Sequence, residues 1–209
     1  MTIPNELLAQ FKSWRTFTLA DAVRFLKARH KISRATTQVT LSRMVKSGRI
    51  YRVMKGVFSA SNSVESAGFA FSPFYYGGLS ALMIRDLIDD QVKMEVMTTK
   101  NVRRSNLKVF GNVDLIQHNI SNRYYFGFDE VHYGSGVVPV SDPEKTLIDL
   151  LYFKIRLSAQ DYNQIIGAID KARLASYLKK YDVHFAQRAM RFFNSMKRKA
   201  KAGALESGY

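Results

Sequence analysis

The sequence predicts an α+β fold in which a small helical module with a basic hairpin precedes a mixed α/β domain ending in a helical segment. Three observations predict it. A capped helix runs straight into a short basic hairpin between Ile32 and Ser59. Short apolar runs separated by glycine-rich turns follow between Tyr75 and Val140. From Pro143 onward the apolar residues recur at helical spacing almost to the end of the chain.

The 209 residues are long enough to bury a sizeable core in one or two domains. The net charge of +15 is unevenly spread: residues 1–60 hold twelve Lys/Arg against Glu6 and Asp21, giving +10. The remaining residues hold twenty against fifteen and give only +5. Such a concentration of positive charge favours a polyanionic partner, whether nucleic acid or an anionic membrane. There are no cysteines, which excludes disulfides and thiolate metal sites. No run of about eighteen apolar residues occurs, so no membrane span is expected. The opening MTIPNELLAQ lacks the regions of a signal peptide, so a cytoplasmic location is expected.

A short leading helix is expected over Asn5–Phe11, with Leu7, Leu8 and Phe11 inward and Trp14 and Phe17 closing the core. Thr18 then caps a helix from Leu19 to about Arg29 that buries Ala22, Val23, Phe25 and Leu26. After the turn His30–Ser33, Ser33 caps the next helix, whose buried stripe is read as Ala35, Val39, Leu41, Met44 and Val45. Ser47-Gly48 ends it, because glycine accepts the left-handed backbone of a helix C-terminus. Arg49–Met54 alternates as a strand, Lys55-Gly56 turns, and Val57–Ser59 returns. Two helices at this spacing followed by a basic hairpin make a winged helix-turn-helix, whose second helix enters the DNA major groove. Arg suits guanine, Gln suits adenine, and Thr can meet thymine's methyl or either base. The candidate DNA-binding residues are therefore Arg34, Thr36, Thr37, Gln38, Thr40, Arg43 and Lys46 on the helix, with Arg49, Arg52 and Lys55 in the wing.

Residues 63–73 read as a linker, or a strand end crossing to a second domain, so the predicted division is 1–62, 63–73 and 74–209. In the second domain a helix is expected over Leu79–Ile88, then a strand over Met94–Thr99. A hairpin is expected from Leu107 to Ile116 around Gly111-Asn112, and further strands over Tyr124–Phe128 and Val137–Val140. Ser141 with Glu144 fits a capping box, and Pro143 suits the first turn of the helix that follows. Helices are expected at about 159–169, 172–181 and 183–199, with a frayed tail AKAGALESGY. The last helix supplies candidate accessory phosphate contacts, Arg191, Lys197, Arg198 and Lys199, which a solvated face would explain equally well.

Catalytic chemistry finds no support. Glu144 and Lys145 are adjacent, whereas a metal-dependent nuclease needs them spaced along a strand. Acids near a helix N-terminus account for Asp142 and Glu144, and Asp149 reads as a solubilising residue. His30, His118, His132 and His184 lack ligand spacing, so no metal is expected. Gly77-Gly78 and Gly134-Ser135-Gly136 read as turn formers outside any phosphate-loop pattern. No cofactor is expected.

Leu41–Ile50, Arg52–Phe58, Ser80-Ala81-Leu82 and Val140–Leu151 together resemble AbiEi-type antitoxins, the repressors of type IV toxin–antitoxin (abortive infection) systems. The resemblance runs from about residue 5 to 195 and departs from the family's pattern at Ile84-Arg85-Asp86-Leu87. It implies a winged helix that binds inverted repeats upstream of the operon. It also implies a C-terminal domain that opposes a nucleotidyltransferase toxin without a stable complex, the protein being a monomer or a dimer paired on DNA. A stand-alone regulator of a mobile element is the alternative; an enzyme with a DNA-binding head and a protein-interaction module are less well supported.

Overall fold

The computed structural model describes residues 2–89, 93–101 and 106–206, and within them an α+β fold. The chain opens with α1 (Ile3–Phe11), β1 (Phe17–Thr18), α2 (Leu19–His30) and α3 (Arg34–Lys46), followed by the hairpin β2 (Tyr51–Met54) and β3 (Val57–Ser59). Each boundary has a local cause. Thr18 and Asp21 form a reciprocal capping box at the start of α2. Lys31, in the left-handed region at φ 55°, stops that helix by donating its N–H to the Leu26 and Lys27 carbonyls. Ser33 caps α3 by accepting from Thr36 N–H at 3.1 Å. Gly56, at φ 79°, permits the hairpin turn. Leu7, Phe11, Phe17, Leu26, Leu41, Met44, Ile50 and Phe58 close one core around these elements. Trp14, expected inside, is 45 % exposed and packs edge-on with Phe11, their centroids 5.1 Å apart.

Residues 63–73, expected as a linker or a strand end, hold a packed helical segment. Val64–Phe71 forms a 3-10 helix that buries Ser66, Ala67, Gly68 and Phe71. Its small residues are there for close packing: a Cβ on Gly68 would stand 2.0 Å from the Phe74 ring. Tyr76 Oη locks the segment by accepting from Gly68 N–H and donating to the Glu65 carbonyl, both at 2.9 Å.

The six-stranded sheet that follows has the order β6-β7-β5-β4-β9-β8. Its strands are β4 (Phe74–Tyr76), β5 (Lys93–Thr98), β6 (Asn106–Val109), β7 (Val113–Asn119), β8 (Phe128–Tyr133) and β9 (Gly136–Ser141), with α4 (Gly78–Ile84) between β4 and β5. Alternation along β4 divides the core. Tyr75 faces Leu147, Leu174 and Phe193 of the helical layer, whereas Tyr76 joins Ala67, Val96 and Val140 on the opposite side. Val53 of the hairpin belongs to this second cluster, and its carbonyl accepts from Phe110 N–H at 2.9 Å. The β2 edge is thus seated on the β6–β7 turn.

Two expected elements shift. Helix α4 ends at Ile84 rather than Ile88, because Asp86 takes φ 56° and Arg85 turns back to the Ser141 and Val140 carbonyls and to Asp129. Tyr124–Phe128, expected as a strand, begins in a 3-10 turn, and only Phe128 enters β8. Its aromatics pack against other rings rather than along a pleat: Tyr124 stacks on Tyr181 at 4.2 Å between centroids, and Phe126 meets Tyr177 edge-on at 5.1 Å.

The helical layer comprises α5 (Pro143–Tyr152), α6 (Ala159–Ala168), α7 (Lys171–Leu178) and α8 (Val183–Glu206). Asp142 caps α5, accepting from Lys145 N–H at 2.7 Å, so the expected capping role of Ser141 is displaced. Ser141 instead closes β9 through Thr146 Oγ1 at 2.7 Å. Glu144 reaches across to the start of α7 and accepts Asp170 N–H at 2.6 Å. Of the tail expected to fray, residues 200–206 continue α8 and 207–209 lie outside the described residues. No helix among the described residues is long and apolar enough to cross a membrane.

Gly77-Gly78 makes more than a turn. Gly78 sits at φ 57°, and a Cβ there would stand 1.8 Å from Glu95 Oε2. The Glu95 carboxyl accepts Leu79 N–H at 3.1 Å, with His118 Nε2 3.9 Å away. Burial pushes Glu95 up to about 7 and His118 down to about 4. Because Glu95 is ordinarily near 4.5, its contribution to stability is full below that pH and is lost as pH rises through 7, by about 3 kcal/mol. Glu95→Gln keeps the acceptor for Leu79 and removes the titration. Urea unfolding at pH 5 and pH 8 should show the variant gaining on the parent at the higher pH; parallel profiles would refute this.

Candidate nucleic-acid interface

Helix α3 presents two faces. Thr37, Leu41 and Met44 are buried, three and four residues apart, and this stripe fixes the rotation of the helix. The stripe read from the sequence is therefore turned: Ala35 is exposed and Val39 is 50 % exposed, although both were expected inside. Thr37, expected to read bases, is fully buried and donates its hydroxyl to the Ser33 carbonyl at 2.9 Å. The apolar count misled because Thr37 has a methyl group and an i−4 backbone acceptor, which together satisfy a buried threonine. Helical spacing anchored on Leu41 and Met44 would have found the correct face.

The outward face carries Arg34, Ala35, Gln38, Val39, Ser42, Arg43 and Lys46. Arg34, Gln38 and Ser42 line a cleft of about 650 Å³ whose far wall is Arg52, Lys55 and Gly56 of the hairpin, with Phe58 at its base. The start of α2, Thr18 to Ala20, forms its end wall. Around the other side of α3, Ala35, Gln38, Val39, Ser42, Arg43 and Lys46 line a shallower cleft of about 430 Å³. Gln38 and Ser42 border both, so the two form one surface along the helix.

Within the described residues, the side chains of Arg34, Gln38, Arg43, Lys46 and Lys55 form no hydrogen bond or ion pair with the protein. Arg52 lies over the Phe58 ring at 6.0 Å, which stiffens it against the cleft wall. No Asp or Glu occurs between Asp21 and Glu65, a stretch holding ten Lys/Arg. The face is therefore one of uncompensated positive charge bordered by neutral donors and small apolar groups.

Three other candidates lie elsewhere or face inward. Thr36 belongs to the helix cap, with its hydroxyl 2.9 Å from that of Ser33. Thr40, half-buried, donates to the Thr36 carbonyl at 2.9 Å. Arg49 donates to Asn5 Oδ1 and so ties the hairpin's start to α1. Glu6 completes that seam by pairing with His30 at 2.8 Å and Arg29 at 3.4 Å. Arg191, Lys197 and Arg198 meet in a separate cleft on α8, while exposed Lys199 is outside its lining.

Which proteins use this arrangement is indicated by the chain's own N-terminal segment. Residues 6–60 match the family described as transcriptional regulator, AbiEi antitoxin. The AbiEi-type match begins in α1 and runs through β3, covering both clefts and well under half of the chain. It supports the likeness to AbiEi-type regulators seen in the sequence; the matching family is one of transcriptional regulators and antitoxins, not a known enzyme family. No curated protein matches the chain.

Proposed function

We propose that this protein is a sequence-specific DNA-binding transcriptional repressor and the antitoxin of a type IV toxin–antitoxin system, one that autoregulates its operon and counteracts a nucleotidyltransferase toxin. The observation that carries the reading is the acid-free outer face of α3, continuous with the hairpin cations around one cleft, inside the segment that matches AbiEi-type regulators. In this reading residues 1–62 act as a winged helix-turn-helix in the cytoplasm, with α3 in the major groove and the hairpin on the flanking backbone. Gln38 and Arg43 read base edges; Arg34, Lys46, Arg52 and Lys55 hold phosphates, helped by the N-terminal end of α2. Two protomers on an inverted repeat would cover promoter DNA. Residues 74–209 carry the antitoxin role.

Ala35 and Val39 give the reading chemical detail. Exposed methyl groups between Gln38 and Arg43 match the C5-methyl of thymine, a group that only the major groove displays. Replacing the thymines of the bound half-site by deoxyuridine should weaken binding about threefold to tenfold, and Val39→Ala should narrow that difference, with Ala35 keeping the remainder. Equal affinity for both DNAs would remove Val39 from the contact.

The test is a reporter driven by the DNA upstream of the gene, together with growth rescue from the neighbouring toxin. Wild-type protein should repress and rescue. A Gln38→Ala/Arg43→Ala variant should lose repression and still rescue. Full repression by that variant would contradict the α3 assignment, and failure of the wild type to rescue would contradict the antitoxin role.

A further inference from the structure

Far along the chain from α3, the cleft between the start of α7 and the outer face of α8 is lined by Lys171, Arg191, Asn194, Lys197 and Arg198. Its volume is about 640 Å³. We infer that this cleft is a second nucleic-acid site, which grips the phosphodiester backbone of duplex DNA without regard to base sequence.

Four features carry the inference. Arg191, Asn194 and Arg198 lie three and four residues apart and so share one face of α8, and Lys171 comes from a different helix to close the cleft. None of the four cations forms an ion pair among the described residues, whereas Arg29, Lys108 and Arg173 pair with Glu6, Asp114 and Glu144. Both carboxylates at the start of α7 are engaged: Asp170 caps the helix, accepting Ala172 N–H at 2.7 Å and Arg173 N–H at 3.4 Å, and buried Glu144 accepts Asp170 N–H at 2.6 Å. Helix α8 itself has no acid before Glu206.

The cations are held on a firm base. Phe193 is fully buried beneath them, with Lys197 Nζ 5.6 Å from its ring centroid. Phe192 meets the Tyr162 ring of α6 edge-on at 5.1 Å. Like charges converging on one cleft repel each other, and a polyanion removes that repulsion. The ligand class follows from the lining's charge: four cations and one amide, all hydrogen-bond donors, with no aromatic ring for stacking a base and no carboxylate to repel a phosphate. Two guanidiniums, two ammoniums and one amide converge there, and four cations with no acid among them match a run of phosphate oxygens.

The site is independent of α3, although the choice of duplex over RNA rests on the DNA-binding reading of the N-terminal module. The test titrates full-length protein with a random-sequence DNA duplex over about 50–200 mM salt, and repeats it with an RNA hairpin of equal length. Arg191→Gln/Lys197→Gln/Arg198→Gln is compared with Arg52→Gln/Lys55→Gln. Each lost phosphate contact should reduce the slope of log K against log salt by about 0.9, so the triple variant should lose up to about 2.7. Lys171→Gln alone should lose about 0.9, which guards against misfolding of the triple variant. A wild-type slope in both would overturn the site. Tighter binding of the RNA hairpin, lost in the triple variant, would overturn the duplex assignment. If only the hairpin pair proved silent, this cleft would stand and the α3 interface would fall.

Discussion

Replacing Gln38 and Arg43 together by alanine is expected to weaken binding to the upstream site by about 10²–10³-fold, while affinity for random DNA falls about tenfold or less. The difference follows from what each contact does. A bidentate pair to a base edge is worth about 1–3 kcal/mol of discrimination, so two of them account for most of a site preference. A charge lost at Arg43 alone weakens all sequences alike. Both side chains are free of protein partners and lie on the exposed face of α3, so their removal leaves the helix packed as before. Thr37→Val is the matched control. It removes a hydroxyl bonded inside the helix and should leave the ratio of specific to random binding unchanged. Isotherms on both DNAs at one salt concentration measure the ratio. Equal losses on the two DNAs for the double variant would refute base reading by these residues.

The largest stability effect is expected at the other end of the fold, where Asp149→Ala should cost about 3–5 kcal/mol. Lys145 and Asp149 form an ion pair one helical turn apart on α5, and both are fully enclosed. Tyr75 donates its hydroxyl to the second carboxylate oxygen at 2.9 Å, and Lys145 also donates to Tyr181 Oη at 3.2 Å. The rings of Tyr75, Phe126 and Tyr181 surround the ammonium at 5.4–5.9 Å. Burial pushes the Asp149 carboxyl up, and the adjacent ammonium opposes that rise. Removing the carboxylate leaves a buried cation with no counter-ion, whose desolvation the Tyr181 hydroxyl and the rings offset only in part. Replacing both, as Lys145→Met/Asp149→Leu, removes the two charges at once and should recover most of the loss. Urea unfolding of the three proteins decides it. A loss below about 1 kcal/mol in Asp149→Ala would mean that the pair is not the keystone of α5.

The helices of the N-terminal module were legible because each carries its own stop and start. Thr18 and Ser33 cap, Gly48 and Gly56 take positive φ, and the buried pairs Ala22/Leu26 and Leu41/Met44 keep helical spacing. The rotation of α3 was not, because the stripe was drawn through every apolar residue and Thr37 was counted as polar. At 63–73 small residues read as a linker, yet small residues are also what close packing requires, and only the Phe74 and Tyr76 rings distinguish the two. Asp142 and Glu144 were legible as acids at a helix N-terminus, whereas Asp149, read as a solubilising residue, is buried and paired with Lys145. Their long-range partners, Tyr75, Asp170, Tyr177 and Tyr181, lie too far along the chain for any local pattern to connect. Likewise the basic character of α8 was evident, whereas Lys171 joined it only through the packing of α7.

The most direct test of the account is footprinting of the purified protein on the DNA upstream of its own gene, with random competitor DNA present. The account predicts a protected inverted repeat that disappears when Gln38 and Arg43 are replaced and persists with Thr37→Val. Uniform, salt-sensitive coating with no preferred site would contradict it, and would reduce the α3 face to a patch of positive charge.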